Sequence, residues 1–282
     1  MNLKELKNKV ADGVDIDSQN FLVSFNPNHQ NNVDTNDLYN PRPFYDELEG
    51  HKVISVFERK SSDSRYDGNP LIYALKNYGK TEEELKKSKS SASKWRFANP
   101  QYDILALMRR FVAVTKEFDI PFDTIVYVPS TSPLNAYVAR CTKRIKGGDL
   151  VRKFFAKYDA SYVQDYLLDE DEVLSHFSED ERDGLRDKIR TAFHNMRTSN
   201  NDKFSYKFFN DVRLRQYMPQ SMMVPDDVVL SDEITSKIND KRVFVVDDTI
   251  TSKKTLSDSS KTILETYCPK EIIFFTLFTS LH

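Results

Sequence analysis

Cysteine, glycine and tryptophan are scarce in this chain, and long hydrophobic runs are missing from it altogether. Two cysteines, Cys141 and Cys268, are too few for a disulfide framework or a zinc module. Cys141 falls in a helical pattern and Cys268 precedes Pro269, so both read as buried, reduced thiols. No stretch approaches the length of a membrane span, and the first ten residues, MNLKELKNKV, lack the apolar segment of a secretory signal. The expected location is the cytoplasm, with no membrane partner. An excess of one charge is missing too. The 41 Lys and Arg against 43 Asp and Glu leave −2, which excludes a bulk basic field for nucleic acid but leaves room for a local patch.

What the chain does contain is enough apolar material for a core: 39% hydrophobic residues over 282 positions, room for one large domain or two modest ones. Its most informative stretch is residues 241–255, KRVFVVDDTITSKKT. Val243, Phe244, Val245 and Val246 form the short β-branched and aromatic run of a buried parallel strand. Asp247 and Asp248 stand where that strand ends, followed by Thr249, Thr251, Ser252 and Thr255 ahead of a helical pattern starting near Lys254. Ligands of open α/β sheets bind beyond the carboxyl ends of strands, and a helix N-terminus offers free N–H groups to phosphate. An acidic pair beside hydroxyls and free amides therefore suits a ligand with both hydroxyls and a phosphate, such as a ribose phosphate. Taken alone, the same residues also describe a strand ending in a solvated acidic turn, with Thr251 or Ser252 capping the next helix.

Four apolar residues, Asp-Asp, two residues, Thr-Ser, two residues and Thr resemble the phosphoribosyl pyrophosphate (PRPP) loop of type I phosphoribosyltransferases. The resemblance implies that Asp247 and Asp248, the expected catalytic pair, hold the ribose 2′- and 3′-hydroxyls. It assigns the 5′-phosphate to the loop of Thr249, Thr251, Ser252, Lys253, Lys254 and Thr255. One departure stands out: Lys253 occupies the position where the family usually has glycine, which tolerates φ > 0 and close phosphate approach. One strand-loop-helix upstream, residues 123–128 (DTIVYV) feed Pro129-Ser130-Thr131-Ser132-Pro133. In the family a unit at this place carries the pyrophosphate loop, which would put Ser130, Thr131 and Ser132 on the pyrophosphate oxygens. Read without the resemblance, the segment is simply a good helix entry. Mg²⁺ is the implied cofactor, held through the diphosphate and ribose rather than by a protein cage. The implied reaction makes or breaks an N-glycosidic bond to a nucleobase.

The expected fold is α/β: a parallel sheet flanked by helices, with an N-terminal extension over residues 1–99 and a phosphoribosyltransferase-like domain over 100–282. The interval 150–240 is too long for a simple mobile loop and reads as a largely helical insertion. A final buried strand over 271–279 (EIIFFTLFT) gives the chain an ending like that of the competence-related (ComF-like) branch. That branch often carries an N-terminal zinc module, for which this chain lacks the cysteines.

Elsewhere the periodicities predict a short helix at 1–10, a strand within 21–25, a helical turn at 43–49 and a strand at 51–57. Helices are expected over 71–78, over 100–118 with Tyr102, Leu105, Met108, Val112 and Phe118 as its apolar stripe, and over 134–145. Residues 81–93 read as a linker or flap, and 222–230 as a strand site. Ser178-Glu179-Asp180-Glu181 reads as a capping box. Trp95 beside Arg96 could stack on a base but fits a core position better. Residues 203–217 (KFSYKFFNDVRLRQY) interleave basic and aromatic side chains, as does nucleic-acid-binding protein. Their phenylalanines are equally suited to a core. Arg140, Lys143, Arg144, Lys146, Arg152 and Lys153 form a basic cluster that reads as phosphate ligands or as a solvated helix face. A non-catalytic nucleotide-sensing module and a nucleic-acid-associated protein thus stand as alternatives to the enzyme, and a homodimer is compatible with all three. A haloacid-dehalogenase nucleophile, which needs Asp-x-Asp-x-Thr, is excluded by the adjacent acids.

Overall fold

The structure, a computed structural model, describes residues 13–26, 33–34, 42–59, 69–86, 91–130, 132–198, 202–249 and 253–279. The expected helix at 1–10 lies outside these residues. The protein is a mixed α/β molecule built on a mostly parallel sheet. Strands β1 (Gly13–Asp17), β2 (Leu22–Asn26), β3 (Val33–Asp34), β4 (Phe44–Leu48), β5 (His51–Arg59) and β6 (Arg96–Phe97) precede β7 (Thr124–Tyr127). After it come β8 (Asp149–Leu150), β9 (Ala156–Lys157), β10 (Met222–Met223), β11 (Arg242–Thr249) and β12 (Glu271–Thr279). The large sheet runs β3-β5-β12-β11-β7-β8, with β4 also paired to β5. Its five strands β5, β12, β11, β7 and β8 are mutually parallel, while β3 and β4 run antiparallel on the β5 edge.

The sequence of β11 and β12 explains why they are central. Val243, Phe244, Val245 and Val246 are fully buried, as are Ile273, Phe274, Phe275 and Phe278, the continuous burial required of strands covered on both faces. Side chains of a strand alternate between faces, and the two cores follow that alternation. Phe244, Val246, Ile273 and Phe275 join one core with the helices Pro100–Glu117 and Leu134–Lys146. Val243, Val245, Ile272 and Phe274 join the other with Leu256 and Ile263 of the helix Lys254–Thr266. In the first core Phe118, Phe122, Phe244 and Phe275 stack with ring centroids 4.4–5.7 Å apart.

We number the helices α1 (Asn69–Asn77), α2 (Glu82–Lys86), α3 (Pro100–Glu117), α4 (Leu134–Lys146), α5 (Ala160–Tyr162), α6 (Glu170–Ser175), α7 (Glu179–Thr198), α8 (Val212–Arg215), α9 (Asp226–Val229), α10 (Asp232–Ile238) and α11 (Lys254–Thr266). The chain leaves β7 into α4 on one face and leaves β11 into α11 on the other. The adjacent strands β7 and β11 therefore diverge at their carboxyl ends, which makes this the switch point of the sheet.

Upstream of α3, β4 and β5 belong to the large sheet while β1, β2 and β6 form a separate small one. Residues 43–49, expected as a helical turn, form β4 instead. Glu49 and Gly50, both with φ > 0, make the two-residue hairpin to β5 that overrides the local helical pattern. Trp95 is buried edge-on to Phe21, the core role. On α3 the buried face differs from the expected stripe: Leu105 is exposed, whereas Asp103, Leu107, Arg110 and Phe111 are buried. Asp103 is drawn inward because its carboxylate accepts the N–H groups of Phe25 (2.9 Å) and Asn99 (2.8 Å), while Arg110 lies over the Phe25 ring.

Residues 158–198 and 202–218 gather around their own core, including Ile189, Phe193, Phe204 and Phe209, with α7 as the longest helix. Ser178 precedes α7 and donates its hydroxyl to Glu181 at 2.8 Å. Phe204, Tyr206 and Phe209 of the basic-aromatic segment are buried here, so these rings are not free to stack on bases. Only Met222–Met223 of the segment 222–230 is a strand, because Pro225 opens the short helix α9. Both cysteines are free thiols. Cys268 is exposed, contrary to expectation, since it sits in the turn between α11 and β12. Among the described residues no helix is long and apolar enough to cross a membrane.

Candidate functional site

The carboxyl ends of β7 and β11 open into a cavity of about 550 Å³. Asp247, Asp248 and Thr249 reach it from β11, Pro129, Ser130 and Ser132 from the loop after β7, and Thr255 from α11. One cavity thus collects the acidic pair, two hydroxyls of the upstream loop and two of the downstream segment. Thr131, Thr251 and Ser252 lie outside the described residues. Lys253 is exposed and does not line the cavity. Lys254 also lies off the cavity wall, because Asp258 one turn along the helix draws its ammonium to 3.0 Å.

The acids are nearly buried, with 7% and 6% of their surface exposed. Asp247 Oδ1 accepts two hydrogen bonds, from Asn135 Nδ2 at 2.9 Å and from the Asp248 N–H at 2.8 Å. Asn135 lies in the first turn of α4 and is itself fixed by donating to the Val128 carbonyl at 2.9 Å. Burial, and then the charge of Asp248 beside it, push the Asp247 carboxyl up to about 7. Asp248 Oδ2 meets Lys76 Nζ at 2.8 Å. The Thr249 hydroxyl is buried on the cavity wall without a hydrogen-bond partner among the described residues.

Four lysines complete the walls: Lys76 and Lys80 from the end of α1 and the turn after it, Lys157 from β9, and Lys207. Only Lys76 has a carboxylate partner among the described residues. Burial, and then the charge of Lys207, pull Lys157 below the ordinary lysine range, with Asp247 and Asp248 opposing. Burial followed by Lys76 and Lys80 does the same to Lys207. A half-open, lysine- and hydroxyl-lined chamber with two carboxylates at its floor is suited to an anion that also offers hydroxyl donors.

A second cavity of about 570 Å³ adjoins the first, sharing Lys76, Lys80, Glu84 and Ser132. Its remaining walls are mainly apolar, among them Leu107, Phe111, Leu134 and Tyr137. Of the basic cluster that begins in α4, Arg140 lines this second cavity and Lys146 has a local role. Lys146 donates to the Phe118 carbonyl at 2.6 Å and lies over that ring.

Sequence reasoning did not find Lys76, Lys80, Lys157, Lys207 or Asn135. The lysines come from elements far apart in the chain, so no local spacing announces them. Asn135 had a usable signal: a polar side chain on an otherwise apolar helix entry, directly after the candidate phosphate loop. No group of three or more His, Cys, Asp or Glu side chains suited to a metal ion occurs among the described residues. Comparison with protein-family models, with curated proteins and with solved structures finds no match for this chain.

Proposed function

We propose that the protein is a phosphoribosyltransferase-like enzyme that binds PRPP, or a ribose 5-phosphate nucleotide, in the cavity at the β7–β11 switch point. One observation carries the reading: Asp247 and Asp248 close the floor of the same chamber that Ser130, Ser132, Thr249, Thr255 and four lysines wall. In this reading the acid pair accepts the ribose hydroxyls, and the Thr249 hydroxyl with Thr255 meets the 5′-phosphate. The loop holding Ser130 and Ser132 takes the pyrophosphate, with the lysines neutralising its charge. The fold is then of the type I phosphoribosyltransferase kind, with α1, the turn after it and Lys207 forming the hood.

The reaction is displacement at the ribose C1. A nitrogen lone pair forms the new bond to C1, the C1–O bond breaks, and its electron pair leaves on the diphosphate oxygen. The attacking nitrogen then loses its proton to solvent. Charge develops in an oxocarbenium-like transition state, so rigid placement and nearby carboxylates supply most of the catalysis. The bonds from Asn135 and from the Asp248 N–H hold Asp247 in one orientation before any ligand arrives. Mg²⁺ would supply charge neutralisation at the diphosphate. The free carboxylate oxygens of Asp247 and Asp248 are hard donors of the type it takes, too few for a protein cage and sufficient beside substrate oxygens. The adjoining apolar cavity suits the flat faces of an acceptor nucleobase.

The test is turnover: purified protein with PRPP, Mg²⁺ and a panel of nucleobases, read as pyrophosphate release. Base-dependent release abolished by Asp247→Asn supports an enzyme. Binding of PRPP without release under every base supports a sensing module in the same fold.

A further inference from the structure

The residues between β8 and β11 place a smaller cavity, about 170 Å³, against the first. That volume holds about five or six waters, the room of a hydrated phosphoryl group rather than of a nucleoside. Its polar walls include Lys157, Lys207, Arg215, Ser205, Ser221 and Thr255, and no carboxylate side chain lines it among the described residues. Three cations therefore converge from β9, from the turn Tyr206–Phe208 and from α8. The Phe209 carbonyl accepts from Arg215 Nε and Nη2, at 3.1 and 3.0 Å, which orients the guanidinium and leaves Nη1 uncommitted among the described residues. Neither lysine has an ion-pair partner there. Burial works against the charge on Lys157 and on Arg215, so the convergence disfavours the empty state and favours an anion.

Lys157, Lys207 and Thr255 line both cavities, so the two adjoin at these residues. Resting on the ribose 5-phosphate reading, which puts the 5′-phosphate at Thr255, we infer that the small cavity is a second phosphoryl subsite beyond that phosphate. The substrate class it fits is a ribose carrying a 5′-diphosphate, esterified or free, rather than ribose 5-phosphate alone. The insertion then extends the recognised ligand at its 5′ end, a task separate from the chemistry at C1.

Ribose 5-phosphate and ADP-ribose share the free C1 hydroxyl and the first phosphate, and differ only beyond it. Calorimetric titration of the full chain with each is the test. ADP-ribose is expected to bind at least tenfold more tightly than ribose 5-phosphate. Arg215→Gln and Ser205→Asp should bring that ratio to near one while ribose 5-phosphate affinity stays within twofold, and Arg215→Lys should restore most of it. Ser205→Asp leaves the Arg215–Phe209 bonds in place, so misfolding of Arg215→Gln does not decide the matter. Added inorganic phosphate should also tighten ribose 5-phosphate in the wild type but not in Ser205→Asp, as expected of a second phosphoryl site. An ADP-ribose advantage that survives both variants would assign the gain to adenosine and overturn the inference. Equal weakening of both ligands would make the cavity the 5′-phosphate site itself, and equal affinity in the wild type would remove the subsite; either overturns it. Folded wild type that binds ribose 5-phosphate but shows no ADP-ribose gain sinks this inference alone. Absence of binding to both removes the underlying reading with it.

Discussion

Two buried carboxylate sites stand near each other in sequence, one at the end of β11 and one in α11, and their surroundings differ. Asp258 is fully buried and closed in: Lys254 reaches one oxygen at 3.0 Å, while the Tyr206 hydroxyl and the Ser221 N–H and hydroxyl reach the other. It ties α11 to the segment 204–221 and faces no large chamber. Asp247 and Asp248 are almost as buried, yet they stand side by side as like charges, next to a cavity of about 550 Å³ and a hydroxyl with no partner among the described residues. A carboxylate whose partners are supplied by the protein serves the fold. In the pair, Asn135, the Asp248 N–H and Lys76 take one oxygen of each carboxylate, and the second oxygen of each is left at the cavity for a ligand.

The largest effect should follow from opening the closed site. Asp258→Ala removes the acceptor shared by Lys254, Tyr206 and Ser221 and should cost about 3–5 kcal/mol of stability, read by urea denaturation. An effect under about 1 kcal/mol would erase the contrast. The open site should respond in the opposite sense. Asp247→Asn keeps the shape and can still accept from Asn135 and Asp248, so it should stabilise the ligand-free protein by about 0.5–2 kcal/mol at pH 7.5 while abolishing PRPP binding.

The same residue gives a pH signature. Asp247 in the folded protein titrates at about 7, against 3.8 for an ordinary aspartate, so between those values the folded state binds more protons than the unfolded one. Wild-type stability should therefore rise as pH falls from 7 towards 4, on the order of 1 kcal/mol or more, beyond the change seen in Asp247→Asn. Parallel curves for the two proteins would contradict the assignment. The smallest effect belongs to Lys76→Met. Its ion pair with Asp248 is about one-third exposed on the lysine side, so stability should move by less than about 1 kcal/mol. PRPP affinity should nevertheless fall roughly tenfold, the loss of one charge-assisted contact.

The contrast also explains what the sequence made legible. β11, β12, β7 and the helices after them follow from runs of apolar residues with local periods, and the acid pair follows from its place at a strand end. Those signals are contiguous. The inward turn of Asp103 on α3 and the strand β4 depend on pairing partners, and local periodicity pointed away from both; Cys268 is exposed because it falls in a turn. The chamber's lysines show the limit most clearly. Lys76, Lys157 and Lys207 come from a helix, a two-residue strand and a 3₁₀ turn spread over 131 positions of chain, so only the fold brings them to Asp247. Residues 203–217 leave two readings open in the sequence, a nucleic-acid segment or a core one, because basic and aromatic residues interleave there. In the fold, most of its aromatics turn into the core and Lys207 and Arg215 face a cavity.

The central claim is that the open acid pair and its lysines form a ribose-phosphate site, and calorimetric titration with PRPP, with and without Mg²⁺, tests it most directly. Wild-type protein should bind with one site per chain, more tightly with Mg²⁺, and Asp247→Asn/Asp248→Asn should lose binding while remaining folded. Folded wild-type protein that shows no heat with PRPP in either condition, or a double variant that binds as well as the wild type, would contradict the account.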